Sequence, residues 1–279
     1  MFVLKKVLFP VDFSDRAAAI APYAKSLAER FGSAVTVLHV HEAHHRFGVK
    51  HRTEEPEQLE SQLKTFLCRE FQSLPVKYVV TEGDPATKIV EYGHGQGVDL
   101  ILMPTRGSGP FRRYLLGSVS AKVLHDSDFP VWTEAHSEQT VSAEPSYRNV
   151  VCAIDLGGHT SKVLSWASNF ASAFNARLLV VHAVQPAEPF AIDTRAPDPG
   201  ATFLDSARHD VSRRLDEQNV HADIAIEAGS TTDVVYRVAA RTPADLLVIG
   251  RHEAKGLAGR LHPHAYSIIR ESLCPVVSV

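Results

Sequence analysis

Short runs of apolar, largely β-branched residues alternate along this chain with longer segments whose apolar positions recur every three or four residues. KVLFPV, from Lys6, reads as a strand. The segment after it places Ala17, Ile20, Ala24, Leu27 and Ala28 on one helical face. Ser14 precedes that face as an N-cap, because its hydroxyl can accept from a first-turn amide, and Gly32 follows as a left-handed terminator. AVTVLHV from Ala34 is a second strand, QLESQLKTFLCREFQSL from Gln58 a second amphipathic helix, and VKYVV from Val76 a third strand. Asp84-Pro85 caps and opens a third helix. LILM from Leu100 and the pair Val131-Trp132 complete a five-strand unit. Runs such as LLVVHAV and DLLVIG are apolar without alternation, as strands buried on both faces of a parallel sheet must be. Strands taking turns with helices predict an α/β protein with Rossmann-like parallel sheets.

The same succession occurs twice. The segment from Lys5 has a counterpart from Arg148, with Asp12 on Asp155 and His39 on His182, both 143 residues apart. Further on, Gly83 falls on Gly229 and Asp99 on Asp245, both 146 apart, and FPVW and CPVV close the two halves. Asn175 takes the terminator position of Gly32. A period this long marks a duplicated domain and not a solenoid unit. The expected domains are 1–135 and 148–279, joined by the polar stretch HSEQTVSAEPSYR.

Composition narrows the functional classes. The chain has 279 residues, 44% apolar and 22% charged, enough for two cores. A formal charge of −3 argues against nucleic acid as a partner, because neutralising phosphates needs a basic surface. The N-terminus lacks a signal-length apolar region, and no run approaches the ~18 apolar residues of a membrane span, so the reading is cytoplasmic with no membrane partner. Cys68, Cys152 and Cys274 are scattered and odd in number, which points to buried reduced thiols.

The densest chemistry lies in MPTRGSGPFRRYLLGSV, Met103 to Val119, directly after the fourth strand. Ligands of open α/β sheets sit beyond the carboxyl ends of the strands, so Asp12, Val40 and this loop are expected to meet. Gly107 lets backbone amides approach an anion, and Gly117-Ser118 opens a helix whose first amides and dipole favour phosphate. Asp12 can accept from an amine or a sugar hydroxyl, so the set suits a nucleotide. The plainer alternative, glycines serving only as turn and helix-start residues, stays open. His39, His41, His44, His45 and His51 form no recognisable ligand spacing, and no metal site is assigned. GHGQG, Gly93 to Gly97, precedes a strand and reads as a helix C-cap and connection. RLHPHAY, with Arg251 and His252 upstream, reads as a solvated basic rim, with a different anion or a metal as the sharper alternative. The proline-rich QPAEPFAIDTRAPDPGATF is longer than most connections between elements.

The order VLFPVD, TVLHV, EGDPATKIV, DLILMPTRG and LLGSVSAKVLH…PVW resembles the universal stress protein family, present twice in tandem over nearly the whole chain. The resemblance implies an adenine nucleotide alpha hydrolase-like fold in each half and binding of ATP or another adenine nucleotide, with or without Mg²⁺. Nucleotide-binding members carry a glycine, two residues, a glycine, nine residues, then glycine and Ser or Thr. Gly107, Gly117 and Ser118 match this pattern, and Asp12 matches the adenine-contacting aspartate. Pro104 replaces the first glycine and removes that backbone donor. By the same resemblance Val11, Val40 and Met103 line the base, while Arg106, Ser108, Gly117, Ser118 and Val119 surround ribose and phosphates. In the second half Gly250 is in place, but Glu253 and Pro263-His264 replace the other motif residues, so the resemblance implies one site per chain. No catalytic residue is assigned. A nucleotide-binding regulatory protein of stress physiology is preferred over a slow nucleotide-processing enzyme or a nucleotide-free dimer scaffold.

Each half ends in a short apolar strand, and a terminal strand leaves peptide groups unpaired at a sheet edge. In the resembled family this edge pairs with that of a second domain. Here the tether makes such pairing intramolecular, Val131-Trp132 against Val276-Val277, while a homodimer stays open. Deleting residues 150–279 is expected to make the first half dimerise or aggregate in light scattering. A truncated half that stays monomeric and melts like the full chain contradicts the pairing.

Overall fold

The structure is a computed structural model that describes residues 4–42, 45–46, 49–50, 55–105, 116–134, 144–185, 199–251 and 263–279. The chain forms two compact units, the second beginning at Ser146. The first contains β1 (Lys6–Pro10), α1 (Asp15–Phe31), β2 (Ala34–His41), a short antiparallel pair β3 (His45–Arg46) and β4 (Val49–Lys50), α2 (Pro56–Phe66), β5 (Val76–Glu82), α3 (Pro85–Gln96), β6 (Leu100–Met103), α4 (Ser118–Asp126) and β7 (Val131–Thr133). Its parallel sheet runs β7-β6-β1-β2-β5. The second contains β8 (Asn149–Ala153), α5 (Thr160–Phe174), β9 (Arg177–Val184), α6 (Pro199–Glu217), β10 (Asp223–Ala228), α7 (Thr231–Arg241), β11 (Leu246–Ile249), α8 (Pro263–Glu271) and β12 (Val276–Ser278). Its parallel order is β10-β9-β8-β11-β12. Each unit is therefore a doubly wound sheet whose strand order reverses beside its first strand.

Local chemistry accounts for the helix limits. Ser14 Oγ accepts from the Ala17 amide at 3.2 Å, and Gly32 ends α1 at φ 65°, where its N–H reaches the Ala28 carbonyl. Asn175 ends α5 in the same way at φ 52°. Asp84 caps α3 through the Thr87 amide at 2.9 Å, with Pro85 in the first turn. The face of α1 predicted from spacing is buried, and Ala21 joins it.

Three readings of the sequence need correction. The second helix stops at Phe66, and residues 67–73 continue as turns whose bonds stretch to 3.3 Å at Leu67 and 3.4 Å at Phe71, both onto carbonyls four residues back. Pro75 disfavours helical geometry at Leu74, which separates these turns from the strand. Cys68 is on the surface, on the side away from the buried Leu59 and Leu63, whereas Cys152 and Cys274 are buried as expected. Burial pushes the Cys274 thiol up to about 11 and Cys152 further still. Finally, α3 runs through Gly93 to Gln96, and only Gly97, at φ 59°, is the cap. Gly93 is needed for space, since a Cβ there would meet the Phe129 ring at 2.9 Å.

One carboxylate per unit holds the start of the first strand to the connection before the fourth. Asp99 Oδ2 accepts from the amides of Lys5 (2.7 Å) and Lys6 (2.9 Å), and Asp245 Oδ2 from those of Arg148 (2.7 Å) and Asn149 (2.8 Å). The Asp99 amide in turn donates to the Lys6 carbonyl, and that of Asp245 to Asn149. Asp99→Ala is expected to cost about 1 kcal/mol, the usual net loss when hydrogen bonds whose donors stay open to water are removed. A denaturant midpoint unchanged by Asp99→Ala would show that the bonds carry nothing.

Candidate functional site

In each unit strand order reverses between two neighbouring strands, in the first unit β1 and β6, and open parallel sheets seat ligands beyond the carboxyl ends of such strands. Val11, just past β1, is buried and fixed twice: its amide donates to the Leu38 carbonyl at 2.9 Å, and its carbonyl accepts from His39 Nδ1 at 2.8 Å. The chain then turns sharply at Phe13, whose φ of 58° is left-handed. A non-glycine residue there carries strain on the order of 1–2 kcal/mol. The Phe13 ring packs 4.5 Å from His39 and 5.6 Å from Phe66, contacts that oppose the strain. This turn presents Asp12 to solvent with Oδ1 accepting from the Ser14 amide (3.1 Å) and hydroxyl (2.5 Å). Because Ser14 also caps α1, the carboxylate is anchored to a helix start. Leu156, after Asp155 in the second unit, repeats the geometry at φ 61°.

On the β6 side, Met103, Pro104 and Thr105 are buried. The Thr105 carbonyl accepts from the Gly117 amide at 2.8 Å, and the Pro104 carbonyl from Ser120 Oγ at 2.9 Å. These two bonds set the first turn of α4 beside the end of β6, where the amides of Ser118 and Val119 have no intrahelical acceptor. Ser118 is exposed, with Gly117 and Val119 half-buried. Pro104 offers no amide, yet its carbonyl is in use in this framework. A second tie fixes α4 to α3: Lys122 Nζ donates to Asp84 Oδ2 at 2.8 Å. The hydrogen bonds from Lys122 and then Thr87 hold the Asp84 carboxyl well below the usual range. A depressed carboxyl contributes stability above its unfolded value that is lost as pH falls, so acid loosens this tie.

Of the residues proposed from the sequence, the structure gathers Val11, Asp12 and Val40 at the ends of β1 and β2, and Met103, Pro104, Gly117, Ser118 and Val119 at the β6–α4 junction. Arg106, Gly107 and Ser108 lie outside the described residues, as do His44, His51, His252 and Glu253. His39 has a structural role at the Val11 carbonyl, and His182 repeats it on Ile154 at 2.9 Å. Among the described residues no group of three or more His, Cys, Asp or Glu is placed to hold a metal, and no helix is long and apolar enough to cross a membrane. Sequence reasoning missed Thr105: it is fully buried, and its Oγ1 has no hydrogen-bond partner among the described residues. Its place between two motif positions was the available signal. It also missed Phe13 and Ser120, whose parts depend on a backbone angle and a long-range bond.

Sheet order and helix succession together define a tandem Rossmann-like protein. The model of the universal stress protein family matches residues 4–133 and 146–279. The chain therefore belongs to the universal stress protein family, in its two-domain form. A universal stress protein of Methanocaldococcus jannaschii is 30% identical over 149 residues, 46% of this chain and 92% of that one. The crystal structure of a universal stress protein from Archaeoglobus fulgidus covers 99% of this chain and 98% of its own at TM-score 0.76, and its 20% identity speaks for the fold. A universal stress protein solved in complex with cAMP covers 48% of this chain and 97% of its own, at 21% identity and TM-score 0.38.

A buried hydroxyl without a partner destabilises, and an apolar isostere removes that cost. Thr105→Val is therefore expected to leave the melting temperature of the ligand-free protein unchanged or raised. A clear fall would show that the hydroxyl already has a structural partner.

Proposed function

We propose that this protein is an adenine-nucleotide-binding regulatory protein of the stress response, with one nucleotide site, in the first unit. The observation that carries this reading is the joining of an anchored carboxylate, Asp12, and the open first turn of α4 around one strand-order reversal, through the bonds of Gly117 to Thr105 and Ser14 to Asp12. Val11, Val40 and Met103 give the base an apolar seat, while Asp12 accepts from its amine or from the ribose. The α4 amides and the Ser118 hydroxyl take the phosphates, favoured by the helix dipole. Arg106, Gly107 and Ser108 complete the cradle from the sequence motif. ATP or a related adenine nucleotide is the ligand, and Mg²⁺ would accompany it through its phosphates. Amides, hydroxyls and a carboxylate already bound to its own helix hold a nucleotide without activating a nucleophile. The expected role is therefore to bind and signal.

Calorimetry of the full chain with ATP is expected to show about one equivalent per chain. Asp12→Ala weakens recognition of the base or ribose, and Ser118→Ala removes a phosphate contact of ~1.5–3 kcal/mol, roughly ten- to hundredfold in affinity. Hydrolysis stays far below the ~1–10³ s⁻¹ of committed enzymes. Two equivalent sites, indifference to both substitutions, or turnover in that range contradicts the reading.

A further inference from the structure

The second unit has a cavity of about 320 Å³ at the carboxyl ends of β8, β9 and β11, with Ile154, Val181 and Ile249 among its apolar walls and Asp155, Arg251 and His264 among its polar ones. Three replacements set it apart from the first unit. Arg251 stands where Thr105 occurs 146 residues earlier, His264 where Ser118 does, and Ala183 where Val40 occurs 143 residues earlier. Two neutral hydroxyls have become a guanidinium and an imidazole, and a valine has become the smaller alanine.

These changes favour an anion of a particular size. Arg251 is only 6% exposed, and burial lowers its guanidinium to about 10, still charged at neutral pH. Its backbone is set by its amide donating to the Val279 carbonyl at 3.0 Å. A cation in a low-dielectric wall acts more strongly on a ligand than one in water. The carboxylate of the wall, Asp155, is engaged at the start of α5: its Oδ1 accepts from the Gly157 amide at 2.8 Å and faces the Thr160 hydroxyl at 3.5 Å. Pro263 opens α8 without an amide hydrogen, so the helix start is one donor short of a phosphate cradle. The volume is near the lower end of the ~300–1,000 Å³ of small-molecule sites, which suits a compact ligand and not an extended triphosphate.

We propose that this cavity is a second ligand site, selective for a compact organic anion: an apolar, largely planar body of up to nucleoside size bearing a single carboxylate or phosphate group that Arg251 and His264 receive. The proposal is independent of nucleotide binding in the first unit. Either site can exist without the other.

The full chain, labelled at isoleucine and valine methyls, is titrated by NMR with AMP, with indole-3-carboxylate and with ATP. Ile154 and Ile249 report this cavity, whereas Val11 and Val40 report the first-unit site, so the two are read separately. The expected result is movement of the Ile154 and Ile249 methyls with AMP or with indole-3-carboxylate at submillimolar concentration, which also separates a phosphate from a carboxylate source. ATP is expected to bind this cavity at least about tenfold more weakly, and Arg251→Gln to weaken the compact anion about tenfold while the Val11 and Val40 responses stay. Should that buried substitution prevent folding, Ala183→Leu, at a half-buried position, fills the cavity and is expected to abolish the same shifts. Methyls unmoved by both AMP and indole-3-carboxylate, ATP bound there as tightly as AMP, or shifts that survive Ala183→Leu in a folded protein overturn the proposal.

Discussion

The parallel pairing of β1 with β6 is the constraint from which the rest of the first unit follows. Leu8 lies opposite Ile101 in that register, and β2 pairs on the other side of β1. Parallel neighbours that continue into separate crossovers cannot close the sheet at their carboxyl ends, so a crevice is left there. Asp99 secures the opposite end of the same pairing through two amides. A failure of that clamp would shift the strand ends that carry Asp12 and Thr105, and with them the start of α4.

The duplicated scaffold shows which parts the two units share and which they do not. Both units keep the carboxylate clamp, the histidine on the strand-end carbonyl, the glycine at φ 143° after the third long strand, and a left-handed residue following the strand-end aspartate. These are framework, since they recur around crevices with different linings. Thr105, Gly117 and Ser118 differ from Arg251, Pro263 and His264, and they lie at the helix start and fourth strand end. One backbone plan thus presents amides and hydroxyls in one unit and a guanidinium and an imidazole in the other.

Elements governed by local rules were legible in the sequence. Ser14, Gly32, Asn175 and Asp84-Pro85 act through neighbours within a few residues, and each does what its side chain or conformational freedom dictates. The duplication and the strand succession came through because buried parallel strands leave long apolar runs. What escaped reading depends on distant partners or on backbone angles that composition does not encode. The end of α2 short of its apolar pattern is one case, and others are the left-handed Phe13, packed on His39 and Phe66, and the isolation of the Thr105 hydroxyl, buried at a strand end. At the site itself, the motif residues were visible, but not the carbonyl bonds that bring them together.

The central claim is that the first-unit crevice retains an adenine nucleotide. Native mass spectrometry of the full chain purified without added nucleotide tests it most directly, because an occupied site travels with the protein. The account predicts a bound adenine nucleotide near one per chain in the unaltered protein and its loss in Asp12→Ala. A chain that emerges free of nucleotide, and stays free after incubation with ATP, contradicts it.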